Sequence, residues 1–468
     1  MSHRNDQQTQ RLTLGMFIVW CGGTSEIAAV HRAKLLGEIR HDSRLVQPGD
    51  LFVALATENN DGHAYIEAAF KAGAVAVVAA RRARFDCSAR YARRIIRVAD
   101  PLKALQRAAA KYRRELGFLC IGITGSSGKT TTRSFISAVL RQGVAVGETY
   151  TNWNNHIGVP LSLLRFTGEE WAGVIEMGAN HTGEITALSR IAQPDIAVIT
   201  NIGYAHVGLF GSLAQTTAAK FEIVDGLNRK NGFLLLNGDD PRLVAEARVR
   251  ELPVFFYGYA KRCAIRPETV TVDQRNGTRF TVDGTEFELA MPGRHFVYSA
   301  LPAIFLGRRC GIPDEYIARA LAGLQPVALR GTLERKGTTD FIVDCYNANP
   351  SSMAAALVYL GDVAGKRRKV AVVGEMMELG KYATRLHREL GKTVARAGVA
   401  RLVAVGDHAE AILAGARDGG LGPRSMTACV SAEKALPVVR KVVRSGDTVL
   451  LKASRGIHLE TVFERFGG

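Results

Sequence analysis

The stretch IGITGSSGKTTT, Ile121–Thr132, constrains this chain more than any other. The apolar run Phe118–Ile123 reads as a buried strand. It turns through Thr124-Gly125-Ser126-Ser127-Gly128 into Lys129-Thr130 and a helix-compatible run, Arg133–Leu140. A strand, a glycine turn and a helix start aim several backbone N–H groups at one small volume on the positive end of the helix dipole. A phosphate fits there. Gly125 and Gly128 allow positive φ and close approach, Lys129 supplies a point charge from a solvent-facing loop, and Thr130 offers a hydroxyl to Mg²⁺. The strict eight-residue pattern wants glycine at 123, where this chain has Ile123, so the motif is a shortened GxxGKT. It predicts a nucleoside triphosphate site.

A chain of 468 residues has room for about three domains. Hydrophobic content of 47% beside 22% charged residues is that of a globular protein. Seven scattered cysteines with no CxxC pair argue for a reducing compartment and against a disulfide scaffold or zinc site. No apolar run approaches the roughly 20 residues that span a bilayer. Leu14–Gly23 is apolar but short, and it has no convincing cleavage site. These features predict a cytoplasmic protein with no membrane insertion. The net charge of +17 calls for anionic partners. The Arg clusters (Arg81-Arg82, Arg90 to Arg97, Lys366 to Lys369) are dispersed and not interleaved with aromatics, and no nucleic-acid-binding signature accompanies them. That favours anionic small molecules and predicts no nucleic acid partner.

Along the chain, a polar tail (Met1–Arg11) precedes IRHDSRLVQPGDLFVALA, in which Asp42-Ser43-Arg44 and the turn Pro48-Gly49-Asp50 lead to a strand over Leu51–Ala56. A helix over Ala64–Ala72, a strand over Ala74–Ala80 and a helix over Asp100–Leu116 follow, so a first boundary is expected near 115. Strands and helices then alternate, which implies a mostly parallel sheet. Val174–Met177 ends in Glu176, and Asp195–Thr200 leads to His206. Both therefore stand at strand carboxyl ends, beside the phosphate loop, where open α/β sheets hold their ligands. Lys220, on a helix over Thr216–Ile223, reads as a surface lysine with its stem beside Phe221. Thr269–Leu289 alternates as antiparallel strands with a hairpin at Asn276-Gly277. After a second boundary near Pro326–Arg330, strands Phe341–Cys345, Lys369–Gly374, Arg401–Val405 and Asp447–Lys452 alternate with helices. Their ends carry DCYNANP, GEMMELG and KASRG. The expected fold is α/β in three domains, 1–115, 116–328 and 329–468. The central one has the phosphate loop on a mostly parallel sheet, and the last is Rossmann-like.

Taken together, GITGSSGKTTT, TNWNNHIGVPLSLL, EMGANHTGEI, NIGYAHVGLFGS, AAKFEI, LNGDDPR, DCYNANPSSM, VVGEMMELG and LKASRG resemble the motifs of the Mur ligases, over nearly the whole chain. YNANP is the mark of the dipeptide-adding member. The resemblance implies an ATP-dependent ligase that joins D-alanyl-D-alanine to UDP-N-acetylmuramoyl-tripeptide through an acyl phosphate, as a monomer. It implies that the loop Thr124–Thr130, with Lys129, holds the ATP phosphates. Arg330 would stand near them and Asp344 at the ribose. Thr130, Glu176, His206 and a carbamylated Lys220 would ligate two Mg²⁺. Asp42, Ser43 and Arg44 would meet the uridine end and Asn155 the pyrophosphate. Asn347, Asn349, Ser454 and Arg455 would line the dipeptide side.

The chain departs from the family pattern where Gly-x-His-Asn-x-x-Asn is usual: Phe296 and Ser299 replace the two asparagines, which serve the nucleotide base. Glu375 stands where Asp is commoner and Ala453 where Gly is. The base is then held differently, or the chain is a paralogue joining another amino acid or peptide. An inactive nucleotide-binding regulator is the rival from another class. Retention of Lys129, Thr130, Glu176, His206 and Lys220 together argues against it.

Overall fold

Short strands, most of those in the two larger sheets followed by a helix, assemble into four sheets in the computed structural model, which describes residues 11–273, 277–326 and 329–467. Most of the expected tail, Asn276 of the expected hairpin and the expected boundary at residue 328 lie outside the described residues. The first sheet is parallel, in the order β1 (Ile39–Arg40), β2 (Leu51–Val53), β3 (Ala76–Ala80), β4 (Ile95–Val98). The strand expected over Leu51–Ala56 stops at Val53, because the chain folds back on itself where Ala56 bridges Asp61. Leu14–Cys21, apolar but unassigned from sequence, is a helix. Thr13 caps its start, and it buries Phe17 and Cys21.

A long helix, Pro101–Leu116, ties this unit to the next. The Asp100 side chain accepts from the Leu102 and Lys103 amides, Pro101 suits the first turn, and Gly117 ends the helix at φ 58. The Arg113 guanidinium donates to the Ala192 carbonyl at 2.8 Å and pairs with Asp195 at 3.3 Å, on the central section.

The central sheet comprises β5 (Leu119–Thr124), β6 (Val146–Glu148), β7 (Ala172–Glu176), β8 (Ile196–Ile199), β9 (Phe233–Asn237) and β10 (Val254–Tyr257). They lie in the order β10-β9-β8-β5-β7-β6, every pair parallel. The strand of the phosphate loop, β5, is thus an inner strand, and residues 120–124 are all buried. A separate antiparallel sheet, β11 (Thr269–Asp273), β12 (Gly277–Val282) and β13 (Thr285–Leu289), follows the expected alternation. Phe280 and Phe287 face each other across its ladder.

The last sheet contains β14 (Thr332–Lys336), β15 (Thr339–Asp344), β16 (Lys369–Gly374), β17 (Arg401–Val405), β18 (Met426–Cys429) and β19 (Thr448–Lys452). Its order is β14-β15-β19-β16-β17-β18, parallel except for the edge strand β14. One apolar cluster runs from the central sheet through Phe296 and Val297 to Met353, Tyr359 and Leu360 beneath this last sheet. No helix among the described residues is long and apolar enough to cross a membrane.

Two helices of the last section, Ala383–Arg396 and Ala409–Asp418, cross where Gly391 and Gly415 let the backbones touch. A Cβ on Gly415 would sit 1.8 Å from the Arg388 carbonyl oxygen. Gly415→Ala should therefore cost about 1–3 kcal/mol of stability in urea unfolding. Gly361→Ala, in helix Pro350–Ala364 with nothing within 4 Å of the added carbon, should be neutral or stabilising. Equal effects at the two glycines would refute the close-packing account.

Candidate active site

The carboxyl ends of β5, β7, β8 and β9 face those of β15 and β19 across a cavity of about 620 Å³. The phosphate loop forms its floor. Gly125 takes φ 145 and Gly128 φ 77, and a Cβ on Gly125 would lie 2.0 Å from the Thr200 hydroxyl, so only glycine fits. The end of β8 pins the loop. Ser126 Oγ exchanges hydrogen bonds with the Gly203 backbone, the Ser127 amide donates to Asn201 Oδ1 at 2.9 Å, and Thr200 Oγ1 donates to the Ser127 carbonyl at 2.6 Å. The loop is thus a prebuilt cradle, with Lys129 and Thr130 opening the helix Lys129–Leu140.

Lys129 is half-buried rather than solvent-facing, and its ammonium donates to the Gly125 carbonyl at 2.8 Å. Burial pulls its pKa below the ordinary lysine value, with Glu176 opposing and Arg330 reinforcing. Glu176, 1% exposed at the end of β7, accepts from Asn154 Nδ2 at 2.8 Å through Oε1. Its Oε2 makes no hydrogen bond and faces the Arg133 guanidinium at 3.7 Å.

Lys220 overturns the surface reading. It is 1% exposed, its Nζ 3.5 Å from the Ala179 carbonyl and 5.0 Å from the centre of the Phe210 ring. Burial, with the Lys129 charge adding to it, pulls the ammonium down to about 7. Glu222 does not neutralise it directly: that carboxylate accepts from the Gly183 and Thr186 amides. His206 lines the cavity at φ 57, its Nδ1 bonded to the Glu378 carboxylate. Burial and the Lys129 charge lower its pKa.

From the last section, Arg330 stacks over the Tyr346 ring at 4.0 Å. Asp344 pairs with the buried Lys452 at 2.7 Å, and Lys452 also donates to the Asn347 carbonyl. Asn349 caps helix Pro350–Ala364 and reaches the Ser126 carbonyl at 3.5 Å. On the remaining wall His295, pulled down to about 4 by burial, lies beside Phe296 and Tyr359. Ser299 Oγ meets Thr132 Oγ1 at 3.2 Å, and the buried Tyr359 hydroxyl has no hydrogen-bond partner.

Of the residues singled out from sequence, Ser126, Ser127, Gly128, Lys129, Thr130, Asn155, Glu176, His206, Arg330, Asp344, Asn347 and Asn349 line this cavity. Thr124 and Gly125 begin the loop but are buried off the cavity lining, and Lys220 lies in the protein interior. Asp42 and Arg44 pair with each other on the first section, where the guanidinium holds the Asp42 carboxyl down to about 2. Ser43 starts the short turn of helix that Asp42 caps. Ser454 Oγ accepts from the Met377 amide, and Arg455 pairs with Glu460. None of these five lines the cavity. Sequence reasoning passed over Glu378, Lys452 and Asn154. Glu378 and Lys452 stand in strand-end motifs that were visible in the chain, GEMMELG and KASRG.

Among the described residues no three His, Cys, Asp or Glu side chains converge on a metal position. A sparse donor set still suits Mg²⁺, which keeps several waters and takes one or two carboxylates beside substrate phosphates. The orphaned Glu176 oxygen, with the Thr130 hydroxyl and the His206 imidazole on the same cavity, fits that requirement.

Three family models match: "Mur ligase family, catalytic domain" over residues 36–113, "Mur ligase middle domain" over 123–307, and "Mur ligase, glutamate ligase domain" over 331–455. The UDP-N-acetylmuramoyl-tripeptide–D-alanyl-D-alanine ligase of Bacillus subtilis is 37% identical over 424 residues, covering 90% of this chain and 91% of the relative. The Escherichia coli ligase of the same name is 33% identical, covering 91% and 93%. Among solved structures, MurF of Acinetobacter baumannii superposes with a TM-score of 0.86 at 28% identity, over 97% and 98% of the two chains. MurF ligase of Thermotoga maritima, in complex with ADP, gives 0.80 at 28% identity over 92% and 96%.

Lys129 contributes charge at the mouth of the loop and little to the core. Lys129→Ala should lower triphosphate turnover about 100–1,000-fold while leaving the thermal midpoint unchanged. Near-normal turnover in the folded variant would show that the loop is not the phosphate site.

Proposed function

The chain belongs to the Mur ligase family, and from that premise we propose that it joins D-alanyl-D-alanine to UDP-N-acetylmuramoyl-tripeptide with ATP as the activating substrate. It is an ATP-dependent, amide-bond-forming ligase of peptidoglycan synthesis. It works as a monomer in the cytoplasm, where ATP and the nucleotide-linked precursor are at hand. The observation that carries this reading is the single cavity shared by Lys129, Glu176 and His206 of the central sheet and Arg330, Asp344 and Asn349 of the last section.

A carboxylate is a poor acyl donor. One of its oxygens attacks the γ-phosphorus of ATP, ADP leaves, and an acyl phosphate forms. The amine of the dipeptide then adds to the acyl carbon, and the tetrahedral intermediate expels inorganic phosphate with loss of the amine proton. Transfer between anions needs placement and positive charge more than covalent help. Lys129 and the loop amides hold the phosphates, Arg330 approaches them from the last section, and Asp344 takes the ribose. Thr130, Glu176 and His206, with a carbamylated Lys220 behind them, would hold two Mg²⁺, which would supply charge neutralisation at the phosphates.

The three sections divide the substrate. Residues 1–115 take the uridine end through Asp42, Ser43 and Arg44, and residues 116–328 hold ATP, with Asn155 at the precursor pyrophosphate. Residues 329–468 receive the dipeptide near Asn347, Asn349, Ser454 and Arg455. Closure of the last section excludes water from the acyl phosphate.

The reading of Lys220 as a carbamate rests on its burial with the Lys129 charge nearby and on its ammonium meeting a carbonyl, that of Ala179, where Glu222 and Glu184 act on it only from a distance. The neutral amine attacks CO₂, a nitrogen–carbon bond forms, and one proton is released. The anionic oxygens of the product suit Mg²⁺, whereas an ammonium would repel it.

The test of the function is phosphate release. It should require both the UDP-linked tripeptide and D-alanyl-D-alanine, and phosphate release that ignores the pair would overturn the reading. For Lys220, ¹³C-bicarbonate should give the wild type a carbamate signal that Lys220→Ala lacks. Acetate or formate should restore part of that variant's activity. A bare amine in the active, metal-loaded enzyme would refute the carbamate.

A further inference from the structure

Two loops from different sheets meet at the rim of the cavity: Tyr204–Gly211 after β8, and the segment from Glu378 to Tyr382 after β16. Their fit is close. The Gly208 amide donates to the Glu378 carbonyl at 2.8 Å, and a Cβ on Gly208 would lie 2.5 Å from the Gly380 nitrogen. The Tyr382 hydroxyl donates to the Gly211 carbonyl at 3.1 Å, and the Tyr204 and Tyr382 rings lie 6.2 Å apart. At the centre, Glu378 bonds His206 Nδ1. Both residues hold left-handed backbone, φ 57 at His206 and φ 61 at Glu378, a conformation that persists in side-chain-bearing residues only where surroundings hold it.

The Glu378 loop is braced from behind. Its Met376 amide donates to His387 Nε2 at 3.0 Å, and its Met377 amide donates to Ser454 Oγ at 2.9 Å. His206 lines the cavity and Glu378 does not, so Glu378 reaches the site only through the imidazole.

A carboxylate can only accept, so the proton of a neutral His206 sits on Nδ1 and the lone pair on Nε2. Without that partner an imidazole prefers the opposite tautomer, with its proton on Nε2. We propose that Glu378 is a positioning residue for amide formation: brought in by docking of the last section, it fixes the orientation and tautomer of His206, leaving Nε2 as the atom free to accept a hydrogen bond or ligate a cation. The central site is then chemically complete only when the last section is seated, which couples closure to chemistry. This rests on the reading of His206 as a site residue of the ligase.

The test uses full-length protein with ¹⁵N-labelled histidine, the His206 signals being assigned with a His206→Gln variant. The wild type should show Nδ1 protonated. Glu378→Ala should shift His206 toward the Nε2-protonated form, and Glu378→Gln, whose amide can also donate, should give a mixture. In the same variants kcat should fall about 10–100-fold, with the KM for the UDP-linked tripeptide within about twofold, and Glu378→Asp should recover part of the loss. Gly208→Ala, which keeps both side chains but blocks the seat, should mimic Glu378→Ala in both readouts. An unchanged His206 tautomer in Glu378→Ala, or a kcat within about twofold of wild type, overturns the proposal. A wild-type protein that forms no amide refutes the ligase reading instead, and the His206 signals still decide whether Glu378 sets the ring.

Discussion

Positive charge gathered in a half-buried place is the constraint on which the rest of this structure depends. The Arg330 charge bears on Lys129, the Lys129 charge on Lys220, and both lysines on His206, each lowering protonation in the same direction as burial does. The counter-charge is thin. Glu176 is shared with Arg133, and Asp344 is taken by Lys452. Like charges held at low dielectric repel strongly, and an arrangement of this kind is stable only if the scaffold is rigid or an anion arrives. The scaffold is rigid at the loop, where Thr200, Asn201 and Gly203 fix every turn. A polyphosphate supplies what the protein lacks. The excess of 61 basic over 44 acidic residues is in keeping with that demand, though most of it lies on solvated faces.

Rigidity on one side of the cavity contrasts with the other. The central loops are bonded to their own sheet, whereas the last section meets them through a few polar contacts: Asn349 to Ser126, Tyr346 to Asn152, and a seam in which Glu378 meets His206 and Gly208 and Tyr382 meets Gly211. Contacts of that kind re-form at little cost after separation. The apolar cluster through Phe296, Met353 and Tyr359 is the exception and acts as the joint about which the section sits. A cavity built half from a fixed cradle and half from a separately seated section is the arrangement that the closure proposed above would use.

The parts legible in the sequence were those fixed by local pattern. Strands β16 and β17 have the bounds the sequence implied because inner strands of a parallel sheet are buried on both faces and read as unbroken apolar runs. The edge strands β6, β10, β14 and β18 were missed because they are short and mostly only half-buried, so that even the apolar β10, Val254–Tyr257, gives a weak signal. Lys129, Glu176 and His206 could be found because each stands at the end of a strand or in the loop that follows one, a position that needs no knowledge of packing. Lys220 shows the limit: beside Phe221 it has the signature of a snorkelling lysine, and only the packing of Phe210 and the Ala179 loop shuts it from water. Glu378 and Lys452 acquire their roles from strands brought together across more than a hundred residues of chain, which no local pattern records.

The replaced asparagines follow the same logic of local compensation. Phe296 is 3% exposed, 4.0 Å between ring centres from His295 and 6.0 Å from Tyr359, so an amide there would bury polar atoms in an apolar joint. Such burial is unfavourable unless a partner is supplied. Ser299 has its partner in Thr132, at the first turns of the phosphate-loop helix, and so ties that wall to the cradle. The group left without a partner there is the Tyr359 hydroxyl, which lines the cavity. Under the proposed ligase reading, the cavity edge of this aromatic wall would meet the base, with the Tyr359 hydroxyl as the polar group within reach. The exchange leaves Lys129, Thr130 and Glu176 as they are, on the ends of β5 and β7 and the helix between them, so under the proposed reading it would bear on the base and not on the phosphates.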